Sequence, residues 1–265
     1  MKTRILSDLH LGHSASRIED CEMLEPLLEG VDHLILAGDV WQERIAGERV
    51  TNAGILFAQL KKMVHDRNLS VEILRGNHDP GTPQGVAWCA DRVVLVTHGD
   101  AVYDEATPWS REFGYYREEI RKIVDRYEPQ SHLAQACSDR ACEIANTIQP
   151  RKLPKLPVPF NFFATALWPP SRTFEMIRAW RTMGREGLRF LKKSGEGAKV
   201  LVCGHFHRAG IWEDGEHVVI NTGSFMKGSK PWLVDVEGAE VIARAIDLDE
   251  GMFVEGEVKG RFRIA

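Results

Sequence analysis

Short apolar runs alternate with longer segments of helical periodicity over the first hundred residues of the chain. The runs predict strands at Thr3–Leu6, His33–Ala37, Val71–Leu74 and Val93–Thr97. The segments Ser16–Leu28 and Val50–Val64 carry apolar residues at helical spacing and predict helices between the strands. Such alternation is typical of βαβ units and a largely parallel sheet, so we expect an α/β fold.

The pattern changes beyond residue 100. Helices are predicted at Trp109–Tyr127, Ser131–Ile148 and Ser171–Lys193, with a proline-punctuated aromatic stretch at Leu153–Pro170. A strand is predicted at Lys199–Cys203, followed by β-rich runs at His217–Asn221, Pro231–Val236 and Val241–Ile246 that favour antiparallel hairpins. We expect a single domain over residues 1–265, with a helical cap insertion at about 104–196 above the strand ends.

Composition narrows the class of protein. The net charge of -4 argues against a general nucleic-acid binder, and the five cysteines, none in a C-x-x-C pair, predict reduced thiols in a cytosolic protein. The first strand starts at once, so we expect no removable leader. No apolar run reaches the roughly 18 residues that span a bilayer. The expected location is cytoplasmic, with attachment to a membrane surface left open.

Each of the five strands predicted at Thr3–Leu6, His33–Ala37, Val71–Leu74, Val93–Thr97 and Lys199–Cys203 is followed by a polar cluster. The clusters are Asp8-Leu9-His10, Gly38-Asp39, Gly76-Asn77-His78-Asp79, His98-Gly99-Asp100 and Gly204-His205-Phe206-His207. The residues of a lone D-x-H or H-x-H motif most often have only a structural role. Five clusters in this order, each after a predicted strand, are not explained by structural roles alone. The carboxyl ends of neighbouring strands meet in one crevice, so we expect a metal site there. Oxygen and nitrogen ligands without thiolates suit Mn, Fe, Zn or Co better than Ca or Mg.

The order D-x-H, G-D, G-N-H-D, H-G, G-H-x-H resembles the calcineurin-like metallophosphoesterase superfamily. The resemblance implies a four-layer α-β-β-α sandwich that binds two divalent metal ions, manganese first, with iron or zinc as alternatives. It implies one metal held by Asp8, His10, Asp39 and His207, and the other held by Asp39, Asn77, His98 and His205. One departure is Gln42, at a position where many members carry an acidic residue.

The expected activity is that of a phosphohydrolase, which cleaves a phosphoester or pyrophosphate bond by attack of a metal-bridging hydroxide. His78 is expected to contact the scissile phosphate or hydrogen-bond to the leaving oxygen as a general acid. Asp79 either orients His78 or only shapes the turn before Pro80. Arg208 either binds a second phosphate or is a solvated loop residue.

The segment Arg151–Lys193 contains ten basic residues and two acidic ones. The amphipathic helix predicted at 171–193 therefore either contacts an anionic, partly apolar partner such as a membrane surface, or packs its apolar face on the core with its arginines solvated. The motifs Ser7–Gly12, His98–Asp100 and His207-Arg208, together with a helical insertion, resemble the UDP-2,3-diacylglucosamine pyrophosphate hydrolases, although these usually carry arginine at the position of His78. The expected substrate is thus a small phosphate compound, a nucleotide or a lipid-linked nucleotide.

Two alternatives remain open at this point. The first is a nuclease or phosphodiesterase that acts on nucleic acid, because double-strand-break repair nucleases share the metal motifs and a basic cap could follow a phosphate backbone. The second is a non-catalytic metal-binding scaffold, because some superfamily members keep the fold after losing ligands. All expected ligand positions are filled in this chain, which argues against the scaffold.

Overall fold

Two mixed β-sheets packed face to face form the frame of the protein. The computed structural model describes residues 1–43, 48–110, 112–148 and 170–264. In chain order the strands are β1 (Lys2–Leu6), β2 (His33–Ala37), β3 (Ser70–Leu74), β4 (Val86–Cys89), β5 (Val94–Thr97), β6 (Val200–Cys203), β7 (Gly210–Glu213), β8 (Val218–Asn221), β9 (Trp232–Glu237), β10 (Glu240–Asp249) and β11 (Met252–Arg263). The α-helices are α1 (Glu48–Asp66), α2 (Arg117–Tyr127), α3 (Ala134–Thr147) and α4 (Pro170–Ser194), and short 3₁₀ helices cover Cys21–Leu28, Asp100–Val102 and Glu128–Gln130.

The strand order places the ends of the parallel strands side by side. Within the described residues, the first sheet has six strands in the order β11-β10-β9-β1-β2-β3, and the second has five in the order β4-β5-β6-β8-β7. Strands β1, β2 and β3 are parallel, as are β5, β6 and β8, whereas β4, β7, β9, β10 and β11 pair antiparallel to their neighbours. Both sheets are therefore mixed.

Alternate residues of the central strands face opposite layers, as the pleat requires. Ile5 and Val202 lie in the core between the two sheets. Leu6 packs instead in the core that the 3₁₀ helix Cys21–Leu28 and α1 share with the first sheet, and Leu201 packs in the core under α3 and α4. Burial of both faces explains why these strands are continuous apolar runs. The four-layer α-β-β-α sandwich is confirmed.

Several predicted elements differ from those observed. Only Cys21–Leu28 of the segment 16–28 is helical, and it is a 3₁₀ helix that contains Pro26 and begins after Asp20, whose carboxylate accepts a hydrogen bond from the backbone N–H of Glu22. The helix predicted from Trp109 begins only at Arg117, after a series of turns. Strands β4, β7 and β11 were not predicted, because β4 and β7 are only four residues long and β11 is largely polar.

The helices of the predicted cap form part of the sandwich. Cys137 of α3 and Met183 and Phe190 of α4 are buried against the second sheet, so these two helices supply its outer layer. Nearly all of the aromatic stretch 153–170 lies outside the described residues. The division of the chain into a domain and an inserted cap remains a prediction. Among the described helices, none is long and apolar enough to cross a bilayer.

A buried ion pair joins the first strand to the C-terminal hairpin. The guanidinium group of Arg4 is fully buried and donates from Nε and Nη2 to the two carboxylate oxygens of Asp235, each at 2.7 Å. Arg4 also donates to the carbonyl of Leu27 and contacts Glu255. All of its polar contacts are therefore made within the protein, which connects β1, β9, β11 and the 3₁₀ helix Cys21–Leu28.

Removing one partner of this pair should destabilise the fold strongly. We expect Asp235→Ala to lower the free energy of unfolding by about 3–5 kcal/mol, because the Arg4 charge stays buried without its bidentate partner. Urea unfolding followed by circular dichroism measures this. Glu257→Ala is the matched control, because Glu257 pairs with Lys259 at an exposed position and such pairs contribute about 0–1 kcal/mol. Equal destabilisation by the two substitutions would contradict the assignment.

Candidate metal centre

The loops that follow β1, β2, β3, β5 and β6 bring the predicted ligands into one crevice between the two sheets. Asp8, His10, Asp39, His98 and His205 are buried, and Asn77, His78 and His207 are half-buried. The first sheet contributes Asp8, His10, Asp39, Asn77 and His78, and the second contributes His98, His205 and His207. The sequence-based expectation of one common crevice is therefore met by the geometry.

One group of four side chains surrounds the carboxylate of Asp8. One ligand atom from each of Asp8, His10, Asp39 and His207 lies within 4.8 Å of all the others. His10 Nε2 is 3.0 Å from His207 Nε2 and 3.7 Å from Asp39 Oδ2, and His207 Nε2 is 3.2 Å from Asp8 Oδ1. Nitrogen and oxygen atoms thus lie close together in one place, and this donor set suits a divalent transition metal.

A second group surrounds Nε2 of His98. This atom is 3.2 Å from Asn77 Oδ1, 3.1 Å from His205 Nδ1 and 3.5 Å from Asp39 Oδ2. The same oxygen of Asp39 therefore belongs to both groups. His98 Nδ1 lies 3.2 Å from the carbonyl of Ala37, and donation of its N–H there leaves the lone pair of Nε2 directed at the group. The donor set fits two divalent ions that share one carboxylate.

Five of the seven candidate ligands have left-handed backbone conformations that non-glycine residues rarely adopt. The φ angles are 52° at Asp8, 50° at His10, 50° at Asp39, 71° at His205 and 52° at His207. Each such residue costs of order 1–3 kcal/mol, and strain of this kind concentrates at functional sites. Hydrogen bonds hold the strained backbone in place; the N–H of His205, for example, donates to both carboxylate oxygens of Asp8 at 3.1 and 3.0 Å.

Two glycines allow the loops to approach this closely. A Cβ on Gly204 would overlap the Asp8 carboxylate and the Ser7 hydroxyl. Gly38 has a φ of +81°, and a Cβ there would lie 2.7 Å from His98. The glycines in the G-D and G-H-x-H clusters are therefore required by the approach of side chains from other strands.

The electrostatics of the centre favour ionised carboxylates. Burial alone would raise the pKa of Asp8 and of Asp39, but the surrounding histidines outweigh it, so both pKa values are lowered. Burial opposes protonation of His98, yet Asp39 and Asp8 raise its pKa to about 9. The pKa of His207 is also raised, since contact with Asp8 outweighs burial. Without a metal, the raised pKa values of His98 and His207 favour the protonated forms of these two histidines.

The other two histidine ligands are neutral. Burial lowers the pKa of His10 to about 3, despite the nearby carboxylates. Burial and the proximity of His98 lower the pKa of His205 to about 3. A neutral imidazole is the form that binds a metal ion, so neither residue has to lose a proton before it does so.

His78 lies at the open side of the centre. Its backbone N–H donates to Asp39 Oδ1 at 2.8 Å, and its Nε2 is 3.9 Å from Asp39 Oδ2. The side chain is 39% exposed and lines a cavity beside the centre. Its other ring nitrogen, Nδ1, is 3.0 Å from Oε1 of Gln42.

Asp79 does not orient His78. Its carboxylate accepts hydrogen bonds from the backbone N–H groups of Asp39, Val40 and Gly76 at 2.7–3.0 Å. Burial and the Asp39 charge raise the pKa of Asp79 to about 7, although the three donors favour the ionised form. Of the two alternatives expected for Asp79, these contacts favour the one in which it shapes the turn, because its carboxylate fastens the Gly76–Asp79 turn to the loop that follows β2.

The sequence did not reveal the aromatic wall beside the centre or the contact between Gln42 and His78. Trp109, Trp180, Phe206 and Met176 line a cavity of about 270 Å³ that also contacts Asn77, His78, His205 and His207. The ring of Trp109 is 5.2 Å from that of His205, and the indole N–H of Trp180 donates to the carbonyl of Phe206 at 3.0 Å. Arg208 is exposed, one residue beyond His207. The sequence did contain one signal for this wall. Trp109 and Trp180 lie in the segment that was expected to cover the strand ends.

Comparison with known proteins places the chain in a family. No match was found among curated protein sequences. Solved structures to which this chain is similar include vacuolar protein sorting 29 from Cryptosporidium parvum, with 14% identity, 99% of this chain and 97% of that chain covered and a TM-score of 0.46. Another is Yfce, a phosphoesterase from E. coli, with 16% identity, 100% of both chains covered and a TM-score of 0.43. Residues 1–209 match the family model described as calcineurin-like phosphoesterase. The chain therefore belongs to the calcineurin-like phosphoesterase family and is a metal-dependent hydrolase of phosphoester bonds.

Proposed function

We propose that this hydrolase uses two divalent cations to cleave a phosphoester or pyrophosphate bond in a nucleotide or a lipid-linked nucleotide, for example UDP-2,3-diacylglucosamine. The observation that carries the two-cation proposal is the position of Asp39 Oδ2. This atom is 3.7 Å from His10 Nε2 in one group of ligands and 3.5 Å from His98 Nε2 in the other. A carboxylate shared in this way holds two cations close together.

Each cation has its own residues. One site consists of Asp8, His10, Asp39 and His207, and the other of Asp39, Asn77, His98 and His205. The mixed oxygen and nitrogen donors support manganese as the resident metal, with iron or zinc as alternatives. When bound, such ions lower the pKa of a coordinated water and neutralise the phosphoryl oxygens.

His78 is the residue that we assign to the leaving group. Its Nε2 lies 3.9 Å from Asp39 Oδ2, and its partly exposed side chain lines the cavity. A protonated nitrogen there can hydrogen-bond to the leaving oxygen and transfer a proton to it. The backbone N–H of His78 is held by Asp39, so the position of the ring is coupled to that of the shared ligand.

The aromatic wall supports a substrate with a planar or apolar group next to its phosphate. Trp109, Met176, Trp180 and Phe206 line the same cavity as His78. A nucleobase or an acyl chain could pack on these side chains, whereas a simple phosphate ester would leave them unused. Arg208, which is exposed and directly follows His207, is the residue that we assign to a second phosphate.

Substitution of His78 and of Asp39 should have different effects. We expect Asp39→Ala to hold fewer than two metal ions and to lose activity. We expect His78→Ala to retain both ions while kcat falls by about 10²–10⁴-fold, the usual contribution of a general acid. Elemental analysis gives the metal content. Phosphomonoesters, phosphodiesters and nucleotide pyrophosphates, assayed with manganese and then with chelator, give the activity.

The same assays test the substrate class. Cleavage of a lipid-linked pyrophosphate should respond to detergent or vesicles, whereas nucleic-acid cleavage should fall steeply with salt. An unchanged kcat in His78→Ala would remove the role assigned to this residue. Inactivity on every substrate, with both metals bound, would contradict the proposed function.

Metal binding should release protons. In the metal-free protein at about pH 7.5, His98 is protonated because its pKa is raised to about 9, and a metal bound at Nε2 displaces that proton. We expect release of about one proton or more per chain, measured by calorimetry in buffers of different ionisation enthalpy. At about pH 10, above the pKa of His98, this residue has already lost its proton, so its contribution to proton release should disappear. Equal proton release at the two pH values would contradict the assignment of His98.

We also propose that the N-terminal turns of α4 contact a membrane surface. The buried residues Ala179, Met183 and Phe190 show that most of its apolar face packs on the protein, as one of the two alternatives expected. Phe174 and Ile177 are exposed by 67% and 40%, however, and the exposed arginines Arg178, Arg181, Arg185 and Arg189 follow them. Apolar and basic groups side by side suit an anionic lipid surface.

Vesicle binding tests this surface. We expect the protein to co-sediment with phosphatidylglycerol vesicles but not with phosphatidylcholine vesicles, and the double variant Phe174→Ser/Ile177→Ser to bind at least about fivefold more weakly. Lys62→Glu, on the exposed face of α1, is the matched control and should bind more like the wild type. Wild-type protein that remains in the supernatant with anionic vesicles would exclude the membrane contact.

A further inference from the structure

A second cavity is lined by α3, by α4 and by the 3₁₀ helix Asp100–Val102. Its volume is about 220 Å³, and it shares no lining residue with the cavity beside the metal centre. Helix α4 contributes to both cavities, but through different side chains. Met176 and Trp180 line the cavity beside the centre, whereas Thr182 and Phe190 line the second one. We call this second cavity the α3–α4 cleft.

The side chains around the α3–α4 cleft carry more positive than negative charge. Three of the lining residues are acidic, and five are basic: Asp104, Glu105 and Glu186 against Arg140, Arg178, Arg185, Arg189 and Lys193. Glu186 is shared between two of the arginines, since its carboxylate is 2.9 Å from Arg185 and 3.6 Å from Arg189. The lining therefore has an excess of two positive charges.

Carboxylates outside the cleft compensate this excess only weakly. Arg178 pairs with Glu175 at 3.3 Å, and Lys193 pairs with Glu128 at 3.5 Å. The side chains of Arg178 and Glu128 are 66% and 60% exposed. Ion pairs at exposed positions are weak because water screens them and the long side chains must be held in one conformation. Both basic side chains can therefore exchange their partners for an anion in the cleft.

Arg140 places one of the positive charges beneath the surface. Its side chain is 2% exposed, and its Nη1 is 3.0 Å from Oδ1 of Asp104. Its Nη2 lies 3.2 Å from the carbonyl of Ala101 and 3.4 Å from that of Tyr103, and its Nε has no hydrogen-bond partner among the described residues. The side chain of Asp104 is 55% exposed. A buried guanidinium is thus balanced by one carboxylate that faces water, and a further anion nearby would be favourable.

The size of the cleft and the spacing of its basic residues suit a small anion. Sites for whole drug-sized ligands have volumes of roughly 300–1,000 Å³, so a cleft of about 220 Å³ fits a smaller group. Arg185, Arg189 and Lys193 follow one another at intervals of four residues, which places them along one face of α4. Guanidinium groups match phosphate oxygens with pairs of N–H donors. A phosphate group brings one or two negative charges, which the excess of two positive charges compensates.

We propose that the α3–α4 cleft binds a phosphate group at a site separate from the metal centre. Arg185, Arg189 and Lys193 contact its oxygens, and the buried charge of Arg140 favours the anion from below. The group is either a free phosphate or the head group of a phospholipid, since both present the same oxygens. No metal ligand takes part, so the site is independent of the proposed reaction.

Nuclear magnetic resonance of arginine side chains tests the site. Protein labelled with ¹⁵N-arginine is titrated with inorganic phosphate at neutral pH and constant ionic strength, and single Arg→Lys substitutions assign the Nε–H signals. We expect the signals of Arg185 and Arg189 to shift together, with a dissociation constant of about 1 mM or lower. Arg181, exposed on α4 outside the cleft, should stay unchanged. A shift of Arg208 alone would place the phosphate beside His207 and contradict the proposal.

Two matched variants measure the contribution of the cleft, with the Arg185 signal as the readout. We expect Arg189→Ala to weaken the binding of inorganic phosphate by at least about tenfold, because a charge-assisted hydrogen bond is lost. Arg181→Ala removes the same charge from the same helix and should change binding by less than about twofold. Both residues are exposed, so neither substitution disturbs the core.

Vesicles distinguish the two sources of the phosphate group. If a lipid head group occupies the cleft, Arg189→Ala should co-sediment with phosphatidylglycerol vesicles at least about fivefold more weakly than Arg181→Ala. If a free phosphate occupies it, the two variants should co-sediment equally, and only the titration with inorganic phosphate separates them. Either result supports the cleft as a phosphate site.

Two results would overturn the proposal. The first is an Arg185 signal that does not move with inorganic phosphate, together with equal co-sedimentation of the two variants. The second is equal weakening of phosphate binding by Arg189→Ala and Arg181→Ala, which would show a general attraction between anions and the basic surface of α4.

Discussion

The burial of two carboxylates, Asp8 and Asp39, within one crevice is the constraint on which the rest of the structure depends. Charges removed from water in this way are unfavourable unless cations or hydrogen-bond donors compensate them. The protein supplies backbone N–H groups of His78 and His205, which donate to the two carboxylates. It also surrounds them with histidines that can either be protonated or bind metal. The centre is therefore built for cations, and the strained loops around it are held by the same hydrogen bonds.

Packing of the two sheets determines the geometry of the ligands. Asp8 and Asp39 follow strands of the first sheet, whereas His98 and His205 follow strands of the second, so neither sheet contains a complete site. Contacts between the two sheets fix the distance from one sheet to the other. Ser7 Oγ is 2.6 Å from Thr222 Oγ1, and the two sheets share one apolar core. A substitution that changes the packing of this core would therefore move the ligands of one sheet relative to those of the other, even if the substituted residue is far from every ligand in sequence.

The strands that carry the centre and their order along the chain could be predicted, because buried strands are continuous apolar runs and each ends in a polar cluster. The pairing of ligands into two groups came from the family resemblance, and one of the two groups, Asp8, His10, Asp39 and His207, has its ligand atoms within 4.8 Å of one another. Sequence could not show that Asp79 binds backbone N–H groups while Gln42 contacts His78, because both contacts depend on how the turn after β3 meets the loop after β2. Strand β11, with a polar pattern, and the short strand β4 had too little local signal.

The neutral side chain at position 42 also changes the charge of the centre. Two divalent cations would bring four positive charges, against two negative charges from Asp8 and Asp39, while Asn77 and neutral histidines add none. An excess of about two positive charges matches a phosphoryl group with two negative charges, and a buried glutamate at position 42 would reduce it by one. Among buried groups such a difference would act on the charge that develops during phosphoryl transfer. Gln42 thus contacts both His10 and His78 without adding a negative charge to the centre.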